Sequence, residues 1–150
     1  GQDGLSATAF PSGVRNMPVE INEVVSPLVF WRKEFRPNSG GDGEFRGGLG
    51  QIVELAHGGD GEFVFSATYE RVKHPARGRH GGEHGMTGRL TLDDGSPVAA
   101  KGNTTVPSGR RLIVEFPGGG GLGDPIRRSR QARERDRRLG YVTETKKEDQ

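Results

Sequence analysis

Arg36-Pro-Asn-Ser-Gly-Gly-Asp-Gly-Glu-Phe-Arg-Gly-Gly-Leu-Gly50 is the stretch from which the rest of the chain is read. Pro37 fixes φ, and Asn38, Ser39, Gly40 and Gly41 are turn formers that tolerate or favour positive φ, so the chain reverses sharply here. Arg36 and Arg46 bracket the reversal. Guanidiniums beside closely approaching backbone have two uses: they pair with carboxylates and carbonyls of the fold, or they grip an anionic substrate or partner. A tight reversal leaves carbonyls in need of donors, and a guanidinium carries several. This favours a clamp, with Glu20, Glu23 or Asp42 as the expected carboxylates.

Outward from this turn the pattern is β. Leu28 to Arg36 alternates Val29, Trp31, Lys33 and Phe35 with Leu28, Phe30, Arg32 and Glu34, a half-buried strand that delivers Arg36 to the turn. Ile52–Leu55 and Glu62–Glu70, separated by Ala56-His-Gly-Gly-Asp-Gly61, read as a hairpin. Residues 71–88 lack apolar periodicity and read as a long ordered loop. Leu90 and Leu92, the turn Asp93-Asp94-Gly95 and Val98 read as a second hairpin, and Leu112–Phe116 is the last strand. Asp124 as N-cap and Pro125 as first helical residue predict a helix over Ile126–Leu139 that stops at Gly140. Its arginines read as a solvated face, or else as an interaction surface. Upstream, residues 1–13 read as polar loop and Val14–Val25 as a short extended segment.

These elements predict a mainly β domain over residues 1–140, with antiparallel hairpins in a barrel-like or sandwich arrangement, a short C-terminal helix, and a disordered tail over 141–150. The chain has 150 residues, of which 26 are Gly and 9 Pro, and only 30% are hydrophobic, so a modest core and many turns are expected. No cysteine is present, which removes disulfides, thiolate metal sites and thiol nucleophiles and points to the cytoplasm. No apolar run approaches membrane-spanning length. The net charge of +2 conceals a basic tail. That tail interleaves acids and has no aromatics between its arginines, which argues against nucleic acid.

Four sets of residues carry candidate chemistry. Gly118, Gly119, Gly120, Gly121 and Gly123 satisfy a G-x-G-x-x-G spacing, but no parallel strand follows and Asp124-Pro125 replaces the Lys-Ser/Thr of a phosphate loop. What remains is close backbone packing, or amide N–H groups that bind an anion or oxyanion. His80 and His84 have the spacing of a helical metal pair, but Gly81, Gly82 and Gly85 disfavour a helix. Lys101 is either a surface lysine or a cation that neutralises developing negative charge. Arg36 and Arg46 complete the catalytic candidates. Ser12, Ser39 and Ser108 have no histidine and acid at a nucleophile spacing.

Taken with Arg15-Asn-Met-Pro-Val-Glu20 and Pro117-Gly-Gly-Gly-Gly-Leu-Gly-Asp-Pro125, the glycine-rich turn resembles the hydantoinase B family. That family includes the B-type components of ATP-dependent N-methylhydantoinases, the C-terminal half of 5-oxoprolinase and the acetone carboxylase alpha subunit. Its members are several times longer, so the resemblance implies their C-terminal part only. It further implies ATP-dependent hydrolytic opening of a cyclic amide of the hydantoin or 5-oxoproline type, in a hetero-oligomer with the remainder of the B-type subunit and a hydantoinase A-like ATPase subunit. ATP and a divalent metal are implied for the full enzyme and neither for this part, which is expected to be inactive alone. Gly81-Gly82-Glu83-His84-Gly85 departs from the family's Gly-Gly-Lys-Pro-Gly pattern, and Lys101 stands near a family lysine. The alternative reading is a structural module that docks the partner ATPase subunit.

Overall fold

The computed structural model describes residues 1–8 and 18–143. Among them, helix α1 (Val19–Val25) precedes strands β1 (Leu28–Phe35), β2 (Gln51–His57), β3 (Phe63–Thr68), β4 (Arg89–Leu92), β5 (Lys101–Val106) and β6 (Leu112–Glu115). A 3-10 turn (Pro125–Arg127) and helix α2 (Arg130–Arg138) follow. The strand pairings are antiparallel: one sheet has the order β1-β2-β6-β4, and β3 pairs with β5 in a second. The mainly antiparallel β fold with a short C-terminal helix is therefore as predicted.

The two sheets share one core. Leu90, Leu112 and Val114 from the larger sheet meet Ala67 and Val106 from the smaller, with Val98 beside them. On β6, Leu112 and Val114 are buried while Ile113 and Glu115 take the other face, the alternation the sequence shows. Leu90 and Val98 come together because Asp93-Asp94-Gly95 closes a tight turn, with Gly95 at φ 84 and Val98 N–H donating to Leu90 O.

Four local readings are corrected. Val19–Val25 is helical rather than extended: Pro18 at φ −55 leads into the first turn and Ser26 N–H closes on Asn22 O. Its Ile21, Val24 and Val25 suit a helical period as well as an extended one, and none of its residues is buried. β2 and β3 are not a hairpin. β2 lies between β1 and β6, and β3 crosses to the second sheet, because only a second layer can cover the apolar face of the first. β5 went unrecognised because Lys-Gly-Asn-Thr-Thr carries weak strand propensity; its register with β3 supplies what propensity does not. In β1 the register shifts between Phe30 and Arg32, so the simple alternation breaks at Trp31, which is 64% exposed and lies over the Arg111 guanidinium.

The predicted C-terminal helix is divided. Asp124 does cap, accepting from Ile126 N–H with Pro125 at the first position, but only a 3-10 turn follows. Arg128 is extended, and Ser129 caps α2 anew by accepting from Ala132 N–H. The stop at Gly140, with φ 69, is as expected. Tyr141 and Thr143 fold back on the turn: Asn38 N–H donates to Tyr141 O, and Thr143 N–H donates to Asn38 Oδ1. The predicted tail beyond them, and the segment Arg15–Met17, lie outside the described residues.

Candidate functional site

The turn after β1 is held by its own polar atoms. Asn38 takes φ 61, as a turn former should, and Ser39 is fully buried, its hydroxyl donating to Arg36 O at 2.6 Å and accepting from Gly50 N–H at 2.9 Å. Gly40 and Gly41 have no positive φ, contrary to expectation. They are needed because a Cβ on either would collide with backbone, at Gly47 O and Glu83 O respectively.

The same rule extends through three segments that thread past one another: residues 39–50, 76–88 and 117–123. A Cβ on Gly118 would fall on Ser39 O, and one on Gly47 would fall on Gly119 O. The segments lie this close because hydrogen bonds tie each to the others. Gly41 N–H donates to Gly119 O, Gly119 N–H to Gly48 O, Glu83 N–H to Asp42 O and Gly121 N–H to Glu83 O. Gly118 and Gly123 donate to Met86 O and Arg79 O. The amides at Gly118, Gly119, Gly121 and Gly123 are therefore spent on carbonyls, and the glycine run serves close backbone approach.

Arg36 is 8% exposed and donates from Nη1 to Thr87 O at 2.6 Å and Phe116 O at 3.3 Å, with Nε 3.4 Å from Glu115. Burial lowers its pKa, the Glu115 charge raises it, and Arg89 lowers it further. Arg46 is 4% exposed, donates from Nη1 to Gly47 O, and lies over the Tyr141 ring at 5.2 Å. Both guanidiniums thus bind backbone carbonyls, and their carboxylates are Glu115 and Asp136 in place of the expected ones.

Asp136, 2% exposed, anchors a charge centre that the sequence reading missed. Arg128 donates to Asp136 Oδ2 from Nη2 at 2.6 Å and to both oxygens of Asp3, at 2.7 and 3.0 Å. It also donates to Glu44 O. Asp3 accepts in addition from Arg46 N–H and from Arg135. Burial pushes the Asp3 carboxyl up, but the Arg128 and Arg46 hydrogen bonds and charges outweigh it and bring its pKa to about 2. Hydrogen bonding to Asp3 raises the Arg128 pKa, against burial. One guanidinium so joins the first residues, the glycine turn and α2. Asp3 and Arg128 are far apart in the chain, so no local spacing signals the pairing, and Arg128 and Asp136 are buried rather than part of a solvated helix face. A cleft of about 490 Å³ opens beside this centre, lined by Asp3, Glu44, Phe45, Arg127, Ser129 and Arg135.

The other candidates lie apart. Lys101 is exposed at the start of β5 and pairs with Glu70 at 2.6 Å. His80 is exposed at φ 51, and His84 Nδ1 accepts from Gly78 N–H. Among the described residues no cluster of three His, Cys, Asp or Glu side chains is placed to hold a metal ion. The amides of Gly118, Gly119, Gly121 and Gly123, already donating within the fold, do not fit a nucleotide phosphate. Among the described residues no helix is long and apolar enough to cross a membrane.

Residues 1–125 match the family model described as Hydantoinase B/oxoprolinase. A protein of Pseudomonas sp. (strain NS671), proposed to be the B-type component of a D-/L-hydantoinase, is 31% identical over 97% of this chain and 26% of its own. The 5-oxoprolinase 1 of Arabidopsis thaliana is 36% identical over 71% of this chain and 9% of its own. The crystal structure of the ATP-dependent caprolactamase from Pseudomonas jessenii superposes with a TM-score of 0.74 at 27% identity, covering 94% of this chain and 28% of that one. The chain thus spans little more than a quarter, or less, of the length of these relatives.

Proposed function

The chain belongs to the hydantoinase B/oxoprolinase family, and from that membership we propose that it is the C-terminal part of a B-type subunit in ATP-dependent hydrolytic opening of a cyclic amide. The observation that carries this reading is chemical. Hydantoin, 5-oxoproline and caprolactam, the compounds in the names of the three relatives, are all cyclic amides. ATP dependence is named for the caprolactamase. In this reading the preceding part of the subunit and a hydantoinase A-like ATPase subunit complete the enzyme in the cytoplasm.

Within that assembly the chain acts as framework. Arg36 and Arg46 are bound to carbonyls of the fold, the amides of Gly118, Gly119, Gly121 and Gly123 are spent, and Lys101 pairs at the surface. Among the described residues no cluster of three His, Cys, Asp or Glu side chains stands ready for a divalent metal. The arrangement favours the second reading, a structural module, as the manner in which the chain serves the first.

The test is reconstitution. The chain, the preceding part of the subunit and the ATPase subunit are combined, and opening of hydantoin, 5-oxoproline and caprolactam is followed by mass spectrometry. ATP-dependent opening of one of them that disappears when the chain is left out is expected. Opening that is indifferent to ATP, or to the chain, would overturn the proposal.

A further inference from the structure

Cations elsewhere in this molecule mostly have partners: Arg36, Arg89, Arg110, Arg111 and Arg128 all lie against carboxylates. The loop between β3 and β4 is different. Lys73, His74, Arg77, Arg79, His80 and His84 lie along residues 73–84, and Glu83 is the carboxylate among them. The side chains of Lys73, Arg77 and Arg79 have no partner among the described residues. Asp124, which approaches Gly81, is occupied in capping Ile126 N–H.

The backbone beneath these charges is fixed. Arg79 N–H donates to Gly121 O and its own carbonyl accepts from Gly123 and Gly82; Gly85 N–H donates to Ala76 O, and Gly88 N–H to Arg71 O. Arg71 and His80 are held at φ 61 and 51, a region that non-glycine residues enter only when their surroundings impose it. Like charges on a rigid support repel one another, and a bound anionic surface relieves the repulsion at little ordering cost.

We propose that the loop 73–84 docks an acidic face of a partner protein. The inference rests on the reading of this chain as part of a multi-subunit enzyme. A small anion is disfavoured because the N–H groups of Gly78, Arg79, Gly82, Glu83 and Gly85 already donate within the fold and are not available to it. Nucleic acid is disfavoured because the loop has no aromatic residue of the Phe, Tyr or Trp type on which bases would stack.

The experiment titrates the 150-residue chain with fluorescent poly-L-glutamate at low and physiological salt. It includes a loop variant (Lys73→Gln, Arg77→Gln, Arg79→Gln) and a tail variant (Arg130→Gln, Arg137→Gln, Arg138→Gln). These side chains lie at the surface, so both variants should keep the fold, which circular dichroism checks. The loop variant should bind about tenfold more weakly with a shallower salt dependence, and the tail variant within about twofold of the parent. Equal weakening by both, or none by the loop variant, would overturn the inference, as would tighter binding of inorganic phosphate or oligothymidylate than of polyglutamate. Co-purification with the ATPase subunit separates the two readings. If it is retained by the parent and lost by the loop variant, the inference stands; if both retain it, the loop assignment falls while the B-type reading survives.

Discussion

In the two-sheet half of this molecule, what is buried is side chain: Leu112 and Val106 are fully enclosed, and Val114 nearly so. In the glycine-threaded half, what is buried is backbone. Residues 39–50, 76–88 and 117–123 touch through carbonyls and α-carbons, and their amides are tied across segments in place of a regular ladder. The two halves fail in different ways. A sheet core loses stability by degrees when a methyl group is removed, because neighbours relax into part of the space. A crossing of glycine backbones has no space to give, so the smallest addition displaces a main chain, as in the collagen triple helix. The threaded half also needs charges at its margins to hold its ends, which Arg36, Arg46 and Arg128 provide.

The contrast is sharpest at Gly118. Gly118→Ala places a Cβ on Ser39 O and should cost about 4 kcal/mol or more, enough to abolish the folded state of a marginal domain. Leu112→Ala, in the sheet core, should cost about 3 kcal/mol and leave a cooperative transition. Urea melts of the two variants side by side provide the check, and a Gly118→Ala protein more stable than Leu112→Ala would break the distinction.

Next in size is Arg128→Met, which leaves Asp3 and Asp136 facing each other without their shared cation and should destabilise by about 3 kcal/mol. It also carries a pH signature. The Asp3 pKa is depressed to about 2 from an ordinary carboxylate value near 3.9, so its contribution is full above roughly pH 5 and is lost as the pH falls toward 2. Thermal melts between pH 5 and 2 should fall less steeply for Arg128→Met than for the parent. Parallel curves would show that Asp3 does not depend on Arg128.

Arg36→Lys tests the margin of the threaded half. A lysine keeps the charge but not the geometry that spans Thr87 O, Phe116 O and Glu115, and a loss of about 1–2 kcal/mol is expected. The melting temperature should drop in the reconstituted subunit, with activity falling only as far as stability does. An unchanged melt with lost activity would remove Arg36 from the framework and promote it to the active site. The smallest effect belongs to Lys101→Ala: its partner Glu70 is fully exposed, and the melting temperature should not move.

Much of the threaded half was legible in the order of its residues. Glycines clustered at fixed places rather than scattered, and arginines set beside them, announced close backbone and a need for donors. β1, β6 and the turn at Asp93-Asp94-Gly95 were also readable, since alternation and turn chemistry are local properties. β5 was not, because its stability comes from pairing with β3 rather than from Lys-Gly-Asn-Thr-Thr itself. The Asp3–Arg128–Asp136 centre was invisible for a related reason: Asp3 is remote in sequence from the other two, and the arginine that matters looks like its neighbours.

The sequence by itself determined where the chain turns, which face of β6 is apolar and which family motifs it carries, because these depend on residues within a few positions of each other. The tertiary structure alone decided that β3 leaves for a second sheet, that Glu115 and Asp136 serve Arg36 and Arg46, and that Lys73, Arg77 and Arg79 stand without partners among the described residues. The physical reason is that pairing and burial are set by which surfaces the folded chain brings together, and a carboxylate is assigned to a guanidinium only once both have been placed.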